Sequence, residues 1–222
     1  MNEVKLLAVT MPLDEFKDMF RNSADIVGYC ARVSNPSNQE NFDTVEGLLK
    51  YCIRKQHWSI FEMVNIVMEI NTTRDIGRQI IRHRTFTFQE FSQRYADPTK
   101  ELGFQTREAR LQDPKNRQNS IPCTDSNLDH DFRFFQQQVM TKAQEVYNWA
   151  LAKGIAKEQA RAVLPEGMVN SRMYMNGTLR SWIHYCQLRM ANGTQFEHQL
   201  IATLAWGQLC KAYPFLVGMF DG

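Results

Sequence analysis

Arg82, His83 and Arg84 stand side by side, and the next ten residues add Glu90, Ser92 and Arg94. One short run therefore carries four basic groups, a carboxylate and a hydroxyl. A guanidinium is planar and donates two parallel hydrogen bonds, the geometry that phosphate oxygens accept. The chemistry this combination suits is the binding of a large anionic ligand. The plainer reading is that basic residues complement the negative end of a helix and stand in water. That accounts for any single one of them better than for the whole set.

The elements around the run decide whether these groups converge. The residues before it predict a helix over 73–81, with Thr72 or Thr73 as its cap and Ile76 and Ile80 on one face. Gln79, Arg82 and His83 then follow one stripe near its C-terminal end. After Arg84 the chain turns to aromatic and β-branched residues in alternation, which predicts a strand. On an extended chain Glu90, Ser92 and Arg94 point to one side.

Arg-His-Arg, seven residues, then Ser92, with Glu90 two before it and Arg94 two after, resembles the signature of the flavin-dependent thymidylate synthases. The resemblance runs from about Ser34 to Glu197. It includes His57-Trp-Ser59-Ile-Phe-Glu62, which taken alone reads equally well as a satisfied turn at the mouth of a strand. It also includes Ser34 within Ala-Arg-Val-Ser, Arg161 within Ala-Arg-Ala-Val-Leu-Pro, and Arg180-Ser-Trp-Ile-His184 leading to Leu188-Arg189.

The resemblance implies methylation of dUMP at C5 to dTMP, with methylenetetrahydrofolate as carbon donor, FAD as cofactor and NADPH as reductant. It implies dUMP contacts from Gln79, Arg82, Glu90, Ser92, Gln93, Arg94, Arg161 and Arg189. Arg189 is the expected catalytic group, because a guanidinium at the uracil N3/O4 edge stabilises the N3-deprotonated ring. FAD contacts are implied for Ser34, His57, Ser59, Arg82, His83, Arg84, Glu90, Thr178, Arg180 and His184, with Asn176 the alternative to Thr178. Arg82, His83, Arg84 and Arg180 would offset the flavin's charge. Ser92 is expected to bind substrate and not to act as a covalent nucleophile. None of the five cysteines lies in a recognisable nucleophile motif, which disfavours a cysteine-based thymidylate synthase. The family further implies a homotetramer with shared active sites.

Bulk properties narrow the alternatives. At 222 residues the chain is long enough to bury a sizeable core in one domain over 1–222. A net charge of +2 is too mild to require a polyanionic polymer, although Arg74, Arg78, Arg82, Arg84 and Arg94 beside Phe86, Phe88 and Phe91 form the pattern of a nucleic-acid module. Neither a dinucleotide-binding glycine fingerprint nor a P-loop is present, so a nucleotide must be held by side chains. The scattered cysteines form no C-x-x-C pair, indicating neither a disulfide framework nor a metal site. No run approaches the ~18 apolar residues of a membrane span, and no leader pattern opens the chain. A soluble cytoplasmic protein, with no nucleic-acid or membrane partner, is expected.

Elsewhere the chain predicts strands over 3–10, 64–70 and 168–175, and a short helix from Ser23 to Cys30 capped by Ser23. An amphipathic helix over 43–56 uses Val45, Leu48, Leu49, Cys52 and Ile53. Residues 97–130 lack periodicity and read as a long loop, either a lid over a ligand or a surface insertion. A long helix over 131–153 would bury Phe135, Val139, Ala143, Val146 and Ala150, while Phe132, Phe134 and Trp149 widen its apolar surface toward a subunit interface. A short helix spans 157–164. Thr178 caps a helix with Leu179, Trp182, Ile183, Cys186 and Met190 facing inward. The last helix opens on a Thr194 to Glu197 capping box and carries Leu200, Leu204 and Leu209. The fold class expected is α+β, several long helices on a mainly antiparallel sheet.

Overall fold

The computed structural model describes residues 2–220. Among these residues, β1 (Glu3–Val9), β2 (Asn65–Thr73), β3 (Thr87–Glu90) and β6 (Asn170–Thr178) form an antiparallel sheet in the order β1-β2-β6-β3. β4 (Arg110–Gln112) and β5 (Ser120–Pro122) form a separate hairpin. The α+β class holds. Alternation along β2 puts Ile66, Met68 and Ile70 on the buried face, and the register sets Met68 opposite Met175 and Ile70 opposite Met173 of β6.

Helices cover that face. α1 (Ser23–Ala31) is capped by Asn22, whose Oδ1 accepts from the backbone N–H groups of Ala24 and Asp25. Ser23, the expected cap, instead donates to Tyr213 Oη. α2 (Val45–Arg54) buries Val45, Leu49 and Cys52. α3 (Arg74–Ile80) follows β2 directly, with Thr73 as its N-terminal boundary. It ends before Arg82 and His83, which therefore leave its surface in a turn where the His83 N–H donates to Ile80 O. β3 likewise stops at Glu90, and Ser92 opens a turn whose carbonyl accepts from Tyr95 and Ala96. Glu90, Ser92 and Arg94 thus do not share one side of an extended strand.

Residues 97–130 are more ordered than the aperiodic sequence suggests. They hold α4 (Pro98–Glu101), capped by Asp97, then the β4–β5 hairpin, then the first turn of α5 (Ser126–Ala152), capped by Asp125. Three-residue strands are too short to show alternation. The segment is tied to α3 by Arg107, which donates to both carboxylate oxygens of Asp75 and to Thr73 Oγ1. α5 buries Gln136, Ala143, Tyr147 and Ala150, whereas Phe135 and Val139, expected inside, are 60% and 50% exposed. Its core contacts are confined to a small cluster with Ala160, Leu164 and Val169. Gln136 is buried because its amide pairs with both backbone groups of Arg107.

α6 (Lys157–Ala160) continues as a 3-10 turn over Arg161–Val163. α7 (Leu179–Met190) starts as expected, with Thr178 Oγ1 accepting from the Ser181 N–H, and buries Leu179, Trp182, Ile183 and Cys186. α8 (Phe196–Ala212) departs from expectation: Gln195 is its boundary residue and no side chain caps it. The Thr194 to Glu197 box does not form, because Glu197 faces Arg107, 3.7 Å away, and accepts from Gln195 Nε2. The inward face of α8 is His198, Ile201, Ala202, Ala205 and Leu209, with Leu200 turned outward.

Candidate active site

Two clefts form around the segment that leads from α3 to β3. The first, about 180 Å³, is lined by Glu62, His83, Thr85, Phe86, Arg180, Ser181, His184, Tyr185 and Leu188. Its floor depends on Gly177: a Cβ there would stand 2.4 Å from the Phe86 ring, so only glycine lets Phe86 close on β6. Phe86 in turn meets Trp182 and Tyr185 edge-on.

Glu62 is held at both oxygens. Arg180 Nη1 donates to Oε1 at 2.6 Å and Thr178 Oγ1 to Oε2 at 2.7 Å. Burial pushes the carboxyl up, but these two hydrogen bonds outweigh it and the net shift is downward, so Glu62 stays ionised. Arg180 spends one arm on Glu62, and its buried Nε has no hydrogen-bond partner among the described residues. His184 packs edge-on against Trp58 at 4.6 Å and is held below the ordinary histidine range, by burial first and Arg180 second.

His83 is not the cation its neighbours suggest. Arg189 Nε donates to His83 Nε2 at 2.9 Å, so that nitrogen offers its lone pair and the ring proton is on Nδ1. Burial, then Arg189 and Arg82, lower its pKa to about 4. The expectation that His83 shares in offsetting flavin charge is therefore corrected: it is a neutral ring.

The second cleft, about 260 Å³, brings together Arg74, Arg78, Gln93, Glu158, Arg161, Ala162, Leu164 and Glu166. Arg74 and Gln93 are 8% and 4% exposed, and Arg74 Nη1 and Gln93 Nε2 are buried donors without hydrogen-bond partners. Arg74 lies 3.5 Å from Glu90 and from Glu166, too loosely for hydrogen bonds to satisfy it. Arg94 pairs with Glu158 at the exposed rim. Buried N–H groups are nearly always paired. The cleft's carboxylates, Glu166 and Glu158, pair with Arg78 and Arg94, so Arg74 Nη1 and Gln93 Nε2 are left as open donors that an anionic ligand can satisfy.

Of the residues expected at the site, Gln93 and Arg161 meet in the second cleft, and His83, Arg180 and His184 in the first. Thr178 reaches the first through Glu62, and Arg189 through His83. Glu90 accepts from Ser171 Oγ behind the second. Among the described residues no hydrogen bond joins Ser34, the His57 ring, Ser59, Arg82 or Arg84 to either cleft. Sequence reasoning placed Arg74 and Arg78 only in the nucleic-acid pattern. Their signal was the four-residue spacing of Arg74, Arg78 and Arg82, which puts them on one stripe of α3 and its extension. Tyr185 and His198, embedded in α7 and α8, and Gln195, at the boundary of α8, were missed altogether.

Comparison with known proteins identifies the family. The model of the thymidylate synthase complementing protein family matches residues 16–215. A flavin-dependent thymidylate synthase of Synechocystis sp. is 46% identical over 219 residues, covering 99% of each chain. A probable flavin-dependent thymidylate synthase of Paramecium bursaria Chlorella virus 1 is 44% identical over 217 residues, covering 98% of each. Among solved structures, a UMP/dUMP methylase, PolB, from Streptomyces cacaoi bound with 5-Br dUMP superposes with a TM-score of 0.77 at 24% identity, covering 97% of this chain and 92% of that one. The fold is therefore that of a nucleotide methylase. The chain belongs to the thymidylate synthase complementing protein family, whose relatives here carry the name flavin-dependent thymidylate synthase.

Proposed function

We propose that this chain is a flavin-dependent thymidylate synthase that methylates dUMP to dTMP, taking the carbon from methylenetetrahydrofolate and dispensing with a cysteine nucleophile. The observation that carries the reading is the second cleft, where Arg74 Nη1 and Gln93 Nε2 lie buried with no hydrogen-bond partner among the described residues, beside Arg78 and Arg161. A nucleotide phosphate satisfies such donors. FAD, when bound, supplies the reducing equivalents taken from NADPH. Arg180, with its buried and unpaired Nε, and the neutral rings of His83 and His184 fit a flavin in the first cleft.

The roles follow from these positions. Arg161, Gln93, Ser92 and Arg94 hold the phosphate, and Gln79 the ribose. Arg189 has its Nε committed to His83, which aims the remaining guanidinium edge at the pyrimidine and stabilises negative charge on the ring. Arg82 and Glu90 lie between the two ligands. Glu62 fixes Arg180 toward the flavin. Ser34, His57, Ser59 and Arg84 do not join this chain's clefts, and they contact flavin from a neighbouring subunit in a homotetramer with shared sites. The segment 97–130, tethered to α3 through Arg107, covers bound nucleotide. Among the described residues no helix is long and apolar enough to cross a membrane, and we place the protein in the cytoplasm.

The test is the visible spectrum of the purified protein. A flavin band that bleaches anaerobically with NADPH, faster with dUMP present, is expected. No band after incubation with FAD and removal of the excess would overturn the reading.

A further inference from the structure

Behind the two clefts lies a chain of hydrogen bonds that crosses from α7 to α8, on to α3, and back to the start of α8. Tyr185 Oη is 3.1 Å from His198 Nε2, and His198 Nδ1 is 3.2 Å from Gln79 Oε1. Gln79 Nε2 donates to Gln195 Oε1 at 2.6 Å, and Gln195 Nε2 donates to Glu197 Oε2 at 2.9 Å. Arg107 Nε faces the other Glu197 oxygen at 3.7 Å.

The direction of the whole chain follows from its carboxylate end. A carboxylate only accepts, so Gln195 must turn its NH₂ to Glu197 and its oxygen to Gln79. Gln79 must then present its NH₂ to Gln195 and its oxygen to His198. An oxygen there requires a proton on His198 Nδ1, which leaves Nε2 to accept from the Tyr185 hydroxyl. Reversing any amide sets two donors or two acceptors face to face at half-buried positions. His198 is wholly buried, and burial, with Arg189 and His83 nearby, keeps its ring neutral at a pKa of about 3.

We propose that His198, together with Gln195 and Glu197, is a positioning residue that locks the amide of Gln79 in one orientation, so that Gln79 offers the nucleotide one N–H and one lone pair at defined places. This rests on the reading that Gln79 contacts dUMP. An amide free to flip would present the wrong group half the time and leave a partner unpaired.

The tautomer is testable without that reading. In the full-length protein labelled with ¹⁵N-histidine, His198 should give a neutral ring protonated on Nδ1. A ring protonated on Nε2, or an imidazolium at neutral pH, overturns the proposal. Glu197→Gln removes the obligate acceptor and should give His198 a mixture of tautomers, with the dUMP KM raised about tenfold, the scale of one lost hydrogen bond, and kcat changed much less. His198→Leu should raise KM similarly, and His198→Asn, which keeps an N–H toward Gln79, should restore most of it. If His198→Leu does not fold, the spectra of the wild type and Glu197→Gln still decide. Should Gln79→Ala raise KM while Glu197→Gln leaves both KM and tautomer unchanged, the positioning role falls and the nucleotide reading stands. Should Gln79→Ala leave KM unchanged, the nucleotide reading of Gln79 falls and takes the proposal with it.

Discussion

Arg189 and His83 illustrate how a residue's chemistry depends on a partner far along the chain. Their hydrogen bond spans 106 positions. It makes His83 an acceptor and aims Arg189, so Arg189→Ala should lower kcat about 10²–10³-fold, the scale for removing one charge-stabilising donor. Steady-state kinetics in saturating dUMP measures this, and a kcat within a few-fold of wild type would remove Arg189 from the chemistry. The pH dependence of stability follows from the same pair. A histidine lowered from 6.5 to about 4 binds its proton more readily unfolded than folded. Its contribution is fully present above pH 6.5 and is lost as the pH falls toward 4. His198, lowered to about 3, adds a loss in the same direction that extends to lower pH. Urea midpoints taken from neutral to about pH 4.5 should fall, and His83→Asn should flatten the slope. The Arg-His-Arg pattern was legible in the sequence. The neutrality of its histidine was not, because the larger causes are burial and Arg189, which only the fold brings to it; adjacent Arg82 adds less.

At the scale of elements, β6 and the turn after α3 are coupled through one glycine. Gly177→Ala would put a methyl within 2.4 Å of the Phe86 ring, and the ring cannot retreat past Trp182. We expect a destabilisation of about 1–3 kcal/mol in urea titrations, the range for overpacking. Weaker flavin binding should accompany it, since Phe86 lines the first cleft. Alternation made β2 readable, and the Thr178 cap made α7 readable, because both signals are local. The boundaries of α3, β3 and α8 were not readable in the same way. α3 and β3 stop short of their periodic patterns, and the Thr194 to Glu197 box does not form because Glu197 accepts from Gln195 and faces Arg107, 90 residues upstream, at 3.7 Å.

For the whole molecule, the outstanding feature is the long helix α5, with Phe132, Phe134, Phe135, Val139 and Trp149 all exposed in one chain. Apolar surface on that scale marks an interaction site, and the proposed tetramer is what would cover it. Phe135→Glu combined with Val139→Glu should shift the protein to a smaller species in sedimentation while its helical content persists. If the active sites are shared, flavin content should drop with it. An unchanged assembly would place the subunit interface elsewhere.

The sequence by itself determined the local grammar of this protein: which strands alternate, where α7 starts, and that arginines, histidine, carboxylate and hydroxyl crowd into one run. Those properties depend on neighbours a few residues away, where period and capping chemistry operate. Tertiary structure alone decided that two clefts form beside α3 and α7, that Arg74 Nη1 and Gln93 Nε2 end up buried with no hydrogen-bond partner among the described residues, and that Glu197 ends a hydrogen-bond chain instead of capping a helix. Each of those outcomes depends on groups brought together from distant segments, and their pairing leaves no periodic mark in the sequence.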